Sequence, residues 1–171
     1  MKKYYLLFFF LIFHTNSFAE ENIFYLDVKF LLSESDSGKY INNELKKIND
    51  MNIEEFKKIE NSIKTEEEKL LKQKNILKEE EFNNKVNKLR EKYKSYQELK
   101  NTKNNDLKKL RDNASKQILK IINEILAEYS TKNKISLIIE KKNIVIGKTD
   151  LDITKNILSL LNTKIKKVEL K

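Results

Sequence analysis

The strongest constraint on this chain is a long stretch without helix-breaking residues. No proline occurs anywhere in the sequence, and its two glycines, Gly38 and Gly147, lie far apart. Proline and glycine are the residues that most disfavour a helix interior. Between the two glycines the sequence is rich in Lys, Glu, Leu and Ile. The central region is therefore predicted to form helix over most of its length.

Apolar residues recur in this region at alternating steps of three and four. One series spans residues 41–77 and a second spans residues 82–125. Such steps are typical of a coiled-coil seam, and two consecutive steps of four in each series locally relax the supercoil. At 1.5 Å per residue, each series predicts a helix about 60 to 75 Å long. Four polar residues interrupt the seams and weaken their packing, namely Asn52, Glu66, Lys100 and Lys103.

The charges between the two series indicate a chain reversal. Lysines precede Asn75, and three glutamates, Glu79 to Glu81, follow Lys78. Cations favour the end of a helix and anions favour its start. We therefore predict a helical hairpin arm at residues 38–131, with its reversal near residues 75–81. One continuous rod remains an alternative, because no glycine, proline or serine marks the turn.

The flanks of the arm differ in character and predict a small sheet. Three apolar runs rich in β-forming residues are predicted to be strands: Asn22–Val28, Ile135–Glu140 and Asn143–Ile146. Lys141 and Lys142 are predicted to join the last two as a hairpin. Asp152 is predicted to cap a closing helix, and residues 163–171 to trail off as a basic tail. The prediction is an α+β, mostly α fold, in which residues 20–37 and 132–171 form a β-containing body.

The first nineteen residues have the features of a secretory signal peptide. Lys2 and Lys3 precede an apolar run of about ten residues, and Ser17 and Ala19 suit signal peptidase. The run is too short to cross a bilayer as a helix, so a membrane anchor is the less favoured interpretation. We expect cleavage after Ala19 and a soluble protein outside the cytoplasm.

Composition excludes most enzyme classes. The chain has no cysteine and no tryptophan, and its only histidine, His14, would leave with the signal peptide. A thiol nucleophile, an imidazole base and a soft-metal site are then all missing. No catalytic residue, metal or cofactor is predicted. The net charge of +9 would ordinarily suggest nucleic acid, but export favours phospholipid head groups, lipopolysaccharide or acidic unfolded polypeptides as partners.

The order of these elements resembles the Skp/OmpH-like periplasmic chaperones. The residues that carry the resemblance are Ile23–Val28, the stretch from Ile76 to Phe82 at the helix reversal, and the closing block Ile135–Leu161. The likeness covers nearly the whole chain after the signal peptide. No single motif is sharp, so its specificity comes from the joint order of the elements.

The resemblance implies a homotrimer whose strands form a central body, with three arms around a cavity. Unfolded outer-membrane proteins would be held there without ATP until membrane insertion. Association also follows from apolar side chains too numerous for one small body to bury. The residues predicted for the oligomer core are Ile23, Tyr25, Ile135, Leu137, Ile139, Ile144, Ile146, Ile153 and Ile157.

A holder of unfolded acidic chains needs a positive lining with scattered apolar contacts. The predicted client-binding residues are Phe82, Lys85, Lys88, Arg90, Lys92, Tyr93, Lys94, Tyr96, Lys100, Lys103, Lys108, Lys109 and Arg111. The simpler interpretation is that the lysines form a solvated helix face and the aromatic residues belong to the seam. Two other functions stay open: a tethering coiled coil, and a binder of anionic lipid or lipopolysaccharide that uses Lys164, Lys166, Lys167 and Lys171.

Overall fold

Two long helices dominate the fold, and a small sheet joins the two ends of the chain. The computed structural model describes residues 22–170. In chain order the elements are strand β1 (Ile23–Leu26), helices α1 (Val28–Glu34), α2 (Asp36–Gln73) and α3 (Glu79–Asn133), strand β2 (Leu137–Glu140) and helix α4 (Thr154–Lys164). The predicted α+β, mostly helical fold is confirmed.

Helices α2 and α3 form an antiparallel hairpin, hereafter the arm. They contain 38 and 55 residues, so α3 is about 80 Å long. Ion pairs across the arm join Lys103 to Glu55 and Lys92 to Glu66, a descending order that fixes the antiparallel direction. The chain reverses over residues 74–78, and three glutamates occupy the first turn of α3. The alternative of a continuous rod is excluded.

The sheet has two parallel strands in the described part of the chain. Ile23 of β1 pairs with Leu137 of β2, and Leu26 pairs with Glu140. Parallel neighbours require a long crossover connection, and here the whole arm provides it. The sheet therefore anchors both ends of the arm to each other.

The prediction of a third strand at Asn143–Ile146 is wrong. A 3-10 turn covers Lys141–Asn143, and residues 144–146 follow it without regular structure. After this turn the chain runs to the open side of β1, where the Tyr25 hydroxyl donates to the carbonyl of Lys148 at 3.1 Å and Ile153 donates its N–H to the carbonyl of Tyr25 at 2.9 Å. Residues 144–146 therefore do not return along β2, as a hairpin would require. The β-forming run is left without a partner, and Ile146 is 91% exposed.

The first strand is also shorter than predicted, because a helix begins within the predicted run. Asp27 is the N-cap of α1, and its carboxylate accepts a hydrogen bond from the N–H of Phe30 at 2.8 Å. Val28 is therefore the first helical residue. Helix α1 packs against α2 and α4, and its Leu31 is fully buried.

The hydrophobic core lies where the arm meets the sheet, a region we call the root. Every helix contributes to it, as does the segment that follows α4. Its buried members are Leu26, Leu31, Ile41, Leu45, Ala114, Ile118, Ile122, Ile125, Ile153, Ile157, Leu161 and Val168. This core is formed within one chain.

Helix α4 and the residues after it complete the root. The N-cap of α4 is Ile153 and not the predicted Asp152, whose carboxylate lies one residue earlier and accepts a hydrogen bond from the N–H of Thr154 at 2.9 Å. Ile157 and Leu161 are fully buried, whereas Leu160 is 43% exposed. The predicted free basic tail is wrong, because Val168 is only 5% exposed and packs into the core.

Candidate functional site

An aromatic contact divides the arm into two halves. Phe56 of α2 and Tyr96 of α3 are both buried, with ring centroids 6.0 Å apart in an edge-to-face arrangement. The Lys100 ammonium lies 6.0 Å from the Phe56 ring centroid and 5.8 Å from that of Tyr96. Such distances allow cation–π attraction. Tyr96 and Lys100, both predicted client contacts, therefore serve to join the two helices.

The Tyr96 hydroxyl donates a hydrogen bond to the Glu60 carboxylate. This hydrogen bond, followed by burial, raises the pKa of Tyr96 to about 12. The neutral phenol is thus the form that stabilises the folded arm. Its contribution is fully present below the ordinary pKa of 10.0 and is lost as the pH rises through the folded value near 12.

Replacing Tyr96 with phenylalanine is expected to lower the free energy of unfolding by about 1 kcal/mol at neutral pH, because one hydrogen bond is lost and the ring is kept. The difference from wild type should shrink between pH 10 and 12. Urea unfolding followed by circular dichroism measures both effects. Tyr93→Phe is the matched control, since Tyr93 is 54% exposed, and it should leave the stability unchanged.

Three further predicted client contacts bind across the arm. Lys92 pairs with Glu66 and donates to the Ser62 hydroxyl at 2.8 Å, and the hydrogen bond from Lys92 lowers the pKa of Glu66. Lys103 lies 3.2 Å from the Glu55 carboxylate. Lys85 donates to the Gln73 side chain at 3.0 Å. These lysines hold the two helices together, a role that neither the client-binding prediction nor the solvated-face interpretation assigned to them.

The remaining predicted contacts face outward. Tyr93, Lys88, Arg90, Lys94, Lys108, Lys109 and Arg111 are all exposed, and Phe82 is half-buried near the reversal. Two of the lysines have only loose neighbours on their own helix, at 4.0 Å for Lys94 to Glu98 and 3.9 Å for Lys109 to Asp106. Ion pairs of this kind contribute little and leave the charge available.

A basic cleft lies between α2 and α3 close to the root. It encloses about 480 Å³, and its floor is formed by Leu45 and Leu107. The rim carries Lys46, Lys108, Arg111, Asn42, Asn49 and Asn104, with no carboxylate among the lining residues. Lys46 was not among the residues predicted from the sequence, because the predicted client-binding residues were all taken from α3, where positive charge is in excess. The i, i+4 spacing of Asn42 and Lys46 on one face of α2 was the available signal.

The outer half of the arm is thinly packed. Between Phe56 and Tyr96, a stretch the structure describes in full, no side chain is buried. The seam residues there are half-exposed, while Leu71 and Ile76 near the reversal are 64% and 80% exposed. Few buried contacts mean a low cost for local opening, so this half can bend and offer apolar contacts.

The predicted oligomer-core residues divide into three groups. Tyr25, Ile153 and Ile157 are buried within the single chain, which differs from the expectation that Ile157 would need a partner to cover it. Ile157 belongs to α4, and it is buried because α4 packs this face into the core of the root. Ile135, Ile139 and Ile144 are half-buried.

The exposed group forms what we call the apolar edge patch. It consists of Ile23, Leu137, Val145 and Ile146, at the start of the sheet and in the segment after it. Val145 was not among the predicted residues, although the same apolar run predicted it as readily as its neighbours. Ile23 and Leu137 are paired neighbours in the sheet, and exposed apolar side chains that lie together mark a surface of interaction.

Residues 22–170 contain neither a cluster of metal-ligating side chains nor a helix that could span a membrane. This part of the chain has no group of three or more His, Cys, Asp or Glu that could hold a metal ion. None of its helices is both long and apolar enough to cross a membrane.

Comparison with known proteins places the chain in a family. The model of the family described as "Outer membrane protein (OmpH-like)" matches residues 22–161, from the first described residue to the last turn of α4. The chain belongs to the OmpH-like family. The match to this OmpH-like model ends before residues 165–170, which pack into the core beside α4.

A solved structure gives the same fold at low sequence identity. It is a protein from Caulobacter crescentus described as a candidate outer membrane chaperone (OmpH-like), with a TM-score of 0.79 and 16% identity. The match covers 88% of this chain and 89% of that chain. At this identity the likeness shows a shared OmpH-like fold. No curated protein matches the chain.

Proposed function

We propose that this protein is an ATP-independent holdase chaperone that binds unfolded outer-membrane proteins and prevents their aggregation before membrane insertion. The observation that carries the proposal is the arm. Its outer half has no buried side chain, exposes Leu71, Ile76 and Tyr93, and carries outward-facing cations. A surface of this kind makes many weak contacts and does not require the bound protein to have one particular shape.

This chemistry suits an unfolded client better than a folded one. An unfolded chain presents apolar side chains intermittently, and an acidic one is drawn to the arm over a long range. Binding through several weak contacts avoids ordering the client strongly, which keeps the entropic cost low. The solved OmpH-like structure described as a candidate outer membrane chaperone supports the same role.

The proposal needs no nucleotide. Phosphate-binding loops rely on several glycines close together, and this chain has only two, which are far apart. Energy for client release would then come from the client's own folding into the membrane.

The proposed working form is a homotrimer in the periplasm, with three arms around a cavity. Support comes from the apolar edge patch, since Leu137 and Ile146 are 51% and 91% exposed in a single chain. The outer edge of β2 pairs with no strand in residues 22–170, so it offers a second copy main-chain groups to bond. The proposed signal peptide, residues 1–19, lies outside the described residues, and its cleavage would release the protein in soluble form.

Binding of anionic lipid or lipopolysaccharide is a second candidate function, and the basic cleft at Lys46, Lys108 and Arg111 is the observation that favours it. The predicted basic tail gives it less support than expected. Lys164 is paired with Glu124 and Glu128, and Lys167 lies over the Tyr40 ring.

The arm charges can be tested by neutralising four outward-facing cations of α3: Lys88, Lys108, Lys109 and Arg111, each replaced by glutamine. We expect the dissociation constant of an unfolded outer-membrane barrel protein, diluted from urea and measured by fluorescence titration, to rise about tenfold, which corresponds to roughly 1.4 kcal/mol. The effect should weaken at high salt, because exposed charges are screened.

The matched control neutralises four exposed lysines of α2, Lys57, Lys58, Lys64 and Lys69, in the same way. We expect a smaller loss of affinity in this control. Equal losses in both variants would show that net charge alone governs binding and that α3 has no special role. Lys46→Gln separates the second candidate function from the first, because Lys46 belongs to the basic cleft and is not one of the four α3 cations. Weaker binding to anionic vesicles with unchanged client affinity in this variant would assign the cleft to lipid.

A further inference from the structure

The residues after α4 form a strap across the root. Helix α4 ends at Lys164, and Ile165 has extended backbone angles, with φ −150° and ψ 132°. Residues 165–170, hereafter the C-terminal strap, belong to no helix or strand. They lie beyond residue 161, where the match to the family model ends.

The strap contacts both helices of the arm. The Lys167 ammonium lies 5.5 Å from the centroid of the Tyr40 ring on α2. The Gln117 side chain on α3 donates a hydrogen bond to the Glu169 carbonyl at 3.2 Å. Val168 lies between these two strap residues and is buried in the same cluster as Ile41 of α2 and Ile118 of α3. Ile41 follows Tyr40 in the chain, and Ile118 follows Gln117. The strap therefore fills a groove between the two arm helices, which we call the root groove.

The way the strap is held resembles the way an unfolded chain would be held. One apolar side chain, Val168, is buried, and Ile165 and Leu170 pack beside it, with charged residues between them. No strand pairing fixes the main chain of the strap. Recognition therefore depends on spaced apolar side chains in an extended segment, and many sequences satisfy that requirement.

We propose that the root groove is a binding site for extended polypeptide segments with spaced apolar side chains, and that the C-terminal strap is its built-in occupant. The displacement of the strap by a client rests on the proposed chaperone function. A tethered occupant has an effective concentration in the millimolar range. A single weak segment does not displace it, whereas a client already held along the arm competes at a similar effective concentration.

The groove is tested first without any client. The probe is a fluorescent synthetic peptide with the sequence of residues 162–171, added to purified wild-type protein or to the Val168→Asp variant. The charge expels the strap of the variant, so the variant should bind the peptide at least about tenfold more tightly than wild type does. Lys166→Asp is the control, because Lys166 is an exposed strap residue, and it should behave as wild type.

A Val168→Asp variant that keeps its helix content yet binds no more peptide than wild type would overturn the proposal. A peptide that itself carries aspartate at the position of Val168 should fail to bind, and equal binding of both peptides would also overturn it. This test does not depend on chaperone activity, so it can succeed even if the holdase function fails.

Hydrogen exchange of the wild-type protein provides the second test, which does not require the variant to fold. Adding saturating unfolded barrel protein should accelerate exchange of the amides of residues 166–170 at least about tenfold, because the displaced strap loses its protection. Amides of β1 and β2 serve as the internal reference and should not change. Unchanged exchange in the strap, with client demonstrably bound, would contradict displacement and leave the holdase proposal standing.

Discussion

Replacing Gly38 with alanine is expected to destabilise the protein by about 3 kcal/mol or more, the upper range for overpacking a tight contact. A Cβ at this position would lie 2.0 Å from the carbonyl oxygen of Leu32 and 2.8 Å from its carbonyl carbon. Both atoms are backbone, so they have no rotamer to move aside. The gain in helix propensity from alanine, about 1 kcal/mol, does not offset this clash.

The close approach at Gly38 has a structural purpose. Ser35 caps α2 by accepting a hydrogen bond from the Gly38 N–H at 3.1 Å, and Ser35 and Ser37 are both fully buried. Helix α1 therefore turns sharply against the first turn of α2 and sets the direction in which the arm leaves the root. Loss of this contact should loosen the arm as well as lower its stability.

Thermal unfolding followed by circular dichroism measures the effect of Gly38→Ala. With about 2 to 4 °C of shift per kcal/mol for a chain of this size, the midpoint should fall by roughly 6 to 12 °C. Gly147→Ala is the matched control, because the nearest neighbour of its Cβ would be a Tyr25 ring carbon at 3.1 Å, a side-chain contact that needs a shift of only a few tenths of an ångström. A midpoint for Gly38→Ala within a degree of wild type would contradict the described packing.

Replacing Leu137 with aspartate is expected to dissociate the proposed oligomer. Leu137 is 51% exposed in the single chain and lies in the apolar edge patch, so the charge leaves the protomer fold intact. In an assembled interface the same carboxylate would be buried without a partner in every copy. We expect the dissociation constant of the assembly to rise at least about a hundredfold, which corresponds to roughly 2.8 kcal/mol.

Sedimentation velocity across a dilution series measures the dissociation. Leu160→Asp is the control, since Leu160 is similarly exposed but lies on α4, outside the apolar edge patch. It should leave the assembly at wild-type mass. A Leu137→Asp protein that remains assembled would show that the subunits associate through another surface.

The arm was predictable from the sequence because its signal is repeated many times. Apolar positions such as Ile41, Leu45 and Phe56 recur at helical spacing, and each proved to be buried. The reversal followed from charges that suit helix ends, with Glu79 to Glu81 in the first turn of α3. Long, periodic elements average out local exceptions, which makes them the most reliable part of a sequence-based prediction.

The short elements were predicted less well, because their structure depends on distant partners. The run Asn143–Ile146 has strong β preference, yet the hydrogen bonds of Lys148 and Ile153 with Tyr25 take the chain to the β1 side, away from β2. The seven residues of α1 are too few to show a helical period. The only local signal of the helix is Asp27, a residue type that is common at the N-cap. Local preference is a weak guide where tertiary contacts decide.

The candidate site shows the same limit at the level of single residues. Lys92 and Lys103 are sequence neighbours of Lys88 and Lys108, and nothing local distinguishes them. Their roles differ because the register between α2 and α3 places Glu66 and Glu55 within reach of the first pair. The strap was missed because its apolar residues are too few to form a recognisable pattern, and its burial depends on the groove between two other elements.

The most direct test of the central claim is the solution mass of the protein, measured by light scattering, alone and with an unfolded outer-membrane barrel protein diluted from urea. We expect a stable trimer that keeps the client soluble in a defined complex without nucleotide. A protein that leaves the client to aggregate at the same rate as buffer alone would contradict the holdase function. The OmpH-like fold would then remain, and its basic cleft would become the place to look for another partner.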